Sequence, residues 1–183
     1  MRHMRETIPD ARIIVCLRHP VHMLHSFYNF RVWEYENGFA PGFDGVAHPF
    51  HDLVRTRTEV NSFSVRAADF SKHITDNLLS LFPREQCFFA VQERFWADTQ
   101  DCYDHIHRFL GVAPRPVERK AINSRSGGEM HMPRVDYEHP EYARALQELT
   151  DLFADRNQRL FELLGEEIPE WRALDEFYES LLV

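Results

Sequence analysis

A chain of 183 residues with 44% apolar residues, 27% charged residues and 13% aromatics has the make-up of one globular domain with a real core, which excludes a disordered or low-complexity protein. Its formal net charge of −8 argues against a general binder of nucleic acid or acidic membrane, so any anion site has to be a local basic pocket. No run approaches the roughly 18 apolar residues of a membrane span, and "MRHMRETIPDAR" lacks the apolar centre of a signal peptide, so the expected location is the cytoplasm.

The first element is "ARIIVCL" (11–17), a short β-branched run bounded by Pro9-Asp10 and Arg18, which reads as a buried strand of a parallel sheet. Pro20 suits the first turn of a helix. Val21, Leu24, Tyr28, Val32 and Tyr35 then recur at helical spacing up to Asn37-Gly38. Residues 37–50, "NGFAPGFDGVAHPF", are rich in glycine and proline and read as a long functional loop, with a short helix following from His51. Phe70, Ile74, Leu78 and Leu81 predict one helix over 66–82, and "FPREQ" turns it into a second strand, "CFFAVQ" (87–92). A helix from Asp98 stops at Gly111, and the longest helix runs from about Pro140 to Leu164, ending at Gly165. "PEWRALDEFYESLL" adds an amphipathic tail. Cys16, Cys87 and Cys102 form no C-x-x-C pair and read as buried free thiols.

Two convincing strands are few for a sheet, which usually has about four to six. The expectation is therefore a single unit, residues 1–183, that forms the C-terminal part of a larger α/β domain. Ligands of open parallel sheets bind beyond the carboxyl ends of the strands, and Arg18 sits at such an end. A guanidinium there can take a phosphate bidentately, and the helix beginning near Pro20 adds oriented N–H groups for the same anion. His22, Ser26 and Asn29 follow i, i+4, i+7 spacing and share a side of that helix, so Ser26 can donate a second hydrogen bond to the anion. The competing reading of Arg18 is an ordinary ion-pair or surface residue.

The order Arg18, Pro20, Ser26, Tyr28 in "LRHPVHMLHSFY" resembles the 3′-phosphate-binding segment of the sulfotransferase family. "PDARIIVCLRHPV", "DFSKHITDNLLSLFPREQCFFAVQERF", "DCYDHIHRFLGV" and "LTDLFADRNQRLFELLGEEIPEW" resemble, in the same order, further segments of that family. The resemblance implies a partial P-loop-like three-layer α/β fold, a short parallel sheet flanked by helices with a helix-rich C-terminal half. It implies transfer of a sulfuryl group from 3′-phosphoadenosine 5′-phosphosulfate to a hydroxyl or amine acceptor, leaving adenosine 3′,5′-bisphosphate. Arg18 and Ser26 are then cofactor residues. The basic loop 115–134, "RPVERKAINSRSGGEMHMPR", lies where the family closes over the nucleotide, and Ser124, Arg125 and Gly127 are the candidates there; a solvated basic loop is the plain alternative.

The chain departs from the family at its start. No glycine precedes Gly38, so the glycine-lysine phosphate loop that grips the 5′-phosphosulfate has no counterpart, nor has the base that often follows it. The expectation is a truncated domain without sulfotransferase activity unaided. The catalytic residue is unassigned. The rival reading is a non-catalytic, sulfotransferase-like remnant that binds a partner or itself through an exposed sheet edge. A kinase-like phosphotransferase shares the architecture, but nothing offers Mg²⁺ ligands after a strand.

The remaining candidates are weaker. His19, His22 and His25 drift by about 60° per three-residue step and cannot easily meet one ion, and His105 and His107 face opposite sides of their helix, so no metal site is predicted. His48 and His51 are acceptor-side candidates. Phe39, Phe43, Phe50 and Phe63 hint at an apolar acceptor among carbohydrate, lipid or small-molecule alternatives. Glu93 is expected to make a structural ion pair or hydrogen bonds to backbone. Trp33, Trp96 and Trp171 read as residues of core helices.

Overall fold

A computed structural model describes residues 1–118 and 139–180. After a short helix α1 (Arg2–Thr7), strand β1 spans Ile13–Leu17 and pairs in parallel with β2 (Cys87–Val91), in register from Ile13 opposite Cys87 to Leu17 opposite Val91. Among the described residues the sheet has these two strands. Helices surround it and fill the C-terminal half, so the fold class is α/β with a short parallel sheet, as the sequence predicts.

Helix α2 (Pro20–Glu36) begins at the predicted proline, and α3 (Phe50–Thr56) follows the loop. The segment 66–82 is less regular than one helix. A 3₁₀ turn over Val65–Ala68 ends at Asp69, whose carboxylate caps a new start at Phe70. Helix α4 (Phe70–His73) then widens into a π turn over Ile74–Leu79. Thr75 and Ser80 donate their hydroxyls to the carbonyls of Ser71 and Asp76 at 2.8 and 2.7 Å, which competes with the ordinary ladder and loosens it. Beyond β2 come α5 (Gln92–Ala97), α6 (Thr99–Leu110, capped by Asp98), α7 (Pro140–Leu164) and α8 (Pro169–Ser180). Gly111 and Gly165 close α6 and α7 in the left-handed conformation, at φ 72° and 76°, where a side chain would be strained.

The main core joins α2, α3 and α7 through Leu24, Tyr28, Phe43, Phe50, Phe63, Leu146, Leu149 and Phe153. A second core seats the sheet. Leu17 and Val91 point into it beside Ile74, Leu160, Ile168 and Trp171. The opposite face is covered unevenly: Phe109 of α6 packs on Phe88 of β2 at 5.5 Å, whereas Ile14 of β1 is 39% exposed. Strand β1 is thus buried on one face, not on both. The same alternation exposes Cys16, while Cys87 is buried and Cys102 half-buried, all three as free thiols. The expectation of buried thiols fails at Cys16 because its side chain falls on the uncovered face. No helix among the described residues is long and apolar enough to cross a membrane.

Candidate functional site

Because Leu17 and Val91 are the last register pair, Arg18 and Gln92 leave the sheet together at its carboxyl edge. His19 then caps α2. Its Nδ1 accepts the backbone N–H of His22 at 3.5 Å, and Pro20 occupies the first helical position, where its missing N–H costs nothing. The His19 ring is buried against Trp171, edge-on at 5.7 Å. The start of α2 is therefore fixed to the second core, and Arg18 is held one residue before it.

Glu93 explains how the junction closes. It is buried, and its two oxygens accept the backbone N–H of His19 and the Trp171 indole N–H, each at 3.0 Å. A carboxylate taken out of water needs such donors. The hydrogen bond to backbone was expected from the sequence. The Trp171 indole was not, because the two residues are 78 positions apart. Trp171 is a core tryptophan as predicted.

On the solvent side the surroundings change. The half-buried Arg18 places its guanidinium carbon 5.4 Å from the centroid of Trp96, and the His22 ring lies 5.9 Å from the same indole. Trp96 is 44% exposed. It is no core residue, because α5 carries it away from the sheet toward Arg18 and His22. Ser26 stands one turn beyond His22 on the same side of α2 and is half-buried. Asn29 continues that stripe but is buried, and no donor among the described residues reaches its Oδ1. The structure thus gathers Arg18, His22 and Trp96 at the start of α2, with Ser26 one helical turn beyond His22. Ser124, Arg125 and Gly127 lie outside the described residues.

The arginine that follows β2, in α5, is of a different kind. Arg94 pairs with Glu166 and Glu170, each at 3.3 Å. Burial opposes its charge, but hydrogen bonds and attraction from the two carboxylates hold it protonated. Those carboxylates occupy its donors and cancel its charge. It borders a cleft of about 260 Å³ with Phe88, Phe95, Asp101 and His105, a poor place for an anion.

Other candidates resolve into packing. Phe43, Phe50 and Phe63 are fully buried between α2, α3 and α7, which leaves Phe39 exposed and stacked on Trp33 at 5.7 Å. The hint of an apolar acceptor from the first three therefore fails: their spacing serves the core. His48 lies against Phe43, and the half-buried His51 meets the rings of Tyr142 and His139 at 5.1 and 6.2 Å. His105 pairs with Asp101 at 3.4 Å. Among the described residues no three His, Cys, Asp or Glu side chains gather as a metal site.

No protein-family model matches the sequence, and no curated protein matches it in sequence. Among solved structures, a sulfotransferase from Alicyclobacillus acidocaldarius superposes with a TM-score of 0.62 at 24% sequence identity. The match covers 92% of this chain and 60% of that one, so the chain has a sulfotransferase-like fold and spans about three fifths of its neighbour's length.

Proposed function

We propose that this chain is the 3′-phosphate-binding part of a sulfotransferase-type enzyme, acting with 3′-phosphoadenosine 5′-phosphosulfate on a hydroxyl or amine acceptor. The observation that carries the reading is the place of Arg18. It stands at the carboxyl edge of a parallel sheet, directly before the capped N-terminus of α2. The fold shared with a known sulfotransferase supports it, as does the order of motifs from "LRHPVHMLHS" to the terminal helix.

The donor supplies the sulfuryl group and a nucleotide with phosphate at both ends. The described residues fit one of those ends. The guanidinium fork of Arg18 suits a phosphate monoester, the start of α2 adds its partial positive charge, and the Ser26 hydroxyl stands two turns along the same helix. Ser124, Arg125 and Gly127 join them in this reading. The part of the chain's work derived from these residues is binding and orientation; the grip on the transferring sulfate and the catalytic base are not among them.

Thermal unfolding with and without adenosine 3′,5′-bisphosphate tests the reading. A ligand that binds the folded state raises its stability by mass action, by about 2.7 kcal/mol at a hundredfold excess over Kd. Wild type should gain stability and Arg18→Ala should not. No shift at millimolar nucleotide counts against the site.

A second reading is favoured by one observation, the open face of β1 with Ile14 and Cys16 exposed. In that reading the chain is a non-catalytic module that pairs with a partner or with itself. Self-association that depends on Ile14, without any response to the nucleotide, supports it over the enzyme.

A further inference from the structure

The cleft of about 260 Å³ beside β2 has an apolar wall and a charged mouth. Phe88 and Val91 of the strand, Phe95 of α5 and the half-buried Cys102 of α6 form the wall. Arg94, Asp101 and Glu166 carry its charge. We propose that this cleft binds a small organic cation, a protonated amine carried on an apolar or aromatic body. The site goes beyond the phosphate reading of Arg18 and does not rest on it.

The argument is one of charge balance. Among the described residues Arg94 is the one lysine or arginine that lines the cleft, and it is matched twice, by Glu166 and Glu170, each at 3.3 Å. Asp101 adds a third carboxylate, 3.4 Å from His105. With histidine neutral, three negative side chains stand against one positive one. The Cys102 thiol is raised by its burial first and then by Asp101 and Asp98, with Arg94 opposing them, so the same wall disfavours a negative charge. Arg84, outside the lining, shows that this strand offers aromatic rings to cations: its guanidinium carbon lies 4.7 Å from the Phe89 centroid, while its Nη1 donates to the Cys87 carbonyl at 2.8 Å.

The occupant has to answer both parts of the cleft. An anion would meet the excess carboxylates. A neutral apolar molecule would fill the wall but strip water from Asp101 and Glu166 without replacing it. An ammonium supplies three donors to those oxygens, and the body behind it covers the phenylalanines. The volume lies below the roughly 300–1,000 Å³ of pockets for drug-sized ligands, which limits the body to about one ring.

NMR titration of the isotope-labelled full chain at about pH 8, where the amine keeps its proton, tests this with three probes of one shape. Phenethylammonium should bind in the millimolar range, about tenfold tighter than phenethyl alcohol, and the anion hydrocinnamate weakest of all. Its resonance shifts should centre on Val91, Phe95 and Cys102. Asp101→Asn should weaken the amine about threefold and leave the alcohol unchanged. Adding Glu166→Gln leaves Arg94 balanced by Glu170 alone, and the preference for the amine should disappear. Circular dichroism checks folding. Asp101 has a 63% exposed side chain, so the single variant decides if the double one does not fold.

Equal affinity for amine and alcohol, an amine preference untouched by Asp101→Asn, shifts centred on other residues, or no binding of the amine at about 10 mM overturns the proposal. Loss of the nucleotide response in Arg18→Ala, or its absence in wild type, bears on the phosphate reading and leaves this one standing.

Discussion

Two charged residues stand at the carboxyl edge of one small sheet, and their surroundings are opposite. Glu93 is buried, and each of its oxygens accepts a hydrogen bond from a group that also anchors an element: His19 starts α2, and Trp171 lies in α8. Arg18 leads to the solvent side, where its guanidinium carbon lies over a half-exposed indole. A buried carboxylate with both oxygens engaged is committed to the fold, and its removal exposes the cost of the donors left behind. A guanidinium over an aromatic ring at the solvent boundary is placed where a charged ligand can reach it. Neighbouring strand ends thus divide the labour, one closing the fold and the other presenting charge.

The largest test of that division is Glu93→Ala. Two buried donors, the His19 N–H and the Trp171 indole N–H, would lose their acceptor, and the unfolding free energy in urea should drop by about 3 kcal/mol. Glu93→Gln keeps one acceptor oxygen but turns an NH₂ group toward a donor, so the loss should be about 2 kcal/mol. A stable Glu93→Ala variant with lost nucleotide binding would break the comparison, because it would make Glu93 part of the site. Trp171→Phe comes next: it keeps most of the buried ring and gives up the indole donor, at about 1–2 kcal/mol.

The sequence was a good guide where the signals are local. Pro20, Pro140 and Gly165 mark helix ends that chemistry dictates at those residues, and the structure places α2 and α7 at Pro20–Glu36 and Pro140–Leu164. Periodicity misled at 66–82, where Phe70, Ile74 and Leu78 do face inward, but Asp69 and the hydroxyls of Thr75 and Ser80 break the regular ladder. It also could not say what covers a strand. "ARIIVCL" looks buried on both faces, yet Ile14 and Cys16 face outward, since only β2 receives α6 on that side. Arg18, Pro20 and Ser26 stood out through spacing and resemblance. Trp96 did not, because a tryptophan beside a strand reads as core, and Arg18, which lies over its ring, stands just past the end of the other strand. Phe43, Phe50 and Phe63 failed for the converse reason: a glycine-rich loop looks exposed, but this one folds back under α2.

That loop offers a buried polar contact to set against the Glu93 junction. The Tyr28 hydroxyl of α2 donates toward the carbonyls of His48 at 3.2 Å and Gly45 at 3.4 Å, with Phe50 packed edge-on at 5.2 Å. Burial, and then the neighbouring Tyr142, push its pKa well above the ordinary 10.0. The unfolded phenol ionises first, so the folded state binds more protons there. Stability from Tyr28 is level below pH 10 and declines as pH rises beyond it. Tyr28→Phe should cost about 1 kcal/mol at neutral pH and flatten the alkaline decline seen in wild type by urea titration. An unchanged alkaline slope would show that the decline comes from other groups.

The smallest effect on stability belongs to Arg18→Ala, and that smallness is what separates the two strand ends. The variant loses, with the side chain's other interactions, a cation–ring contact with Trp96 of the kind worth about 0.5–1 kcal/mol at exposed sites. The entropy released by freeing a long side chain opposes that loss. The net change in unfolding free energy should therefore stay within about 0.5 kcal/mol, while the response to adenosine 3′,5′-bisphosphate disappears. Glu93→Gln should show the reverse order, a clear stability loss with whatever binding survives at a temperature where it stays folded. A drop of more than about 2 kcal/mol in Arg18→Ala would mean that Arg18 closes the fold as Glu93 does, since such losses require a buried partner left without its match.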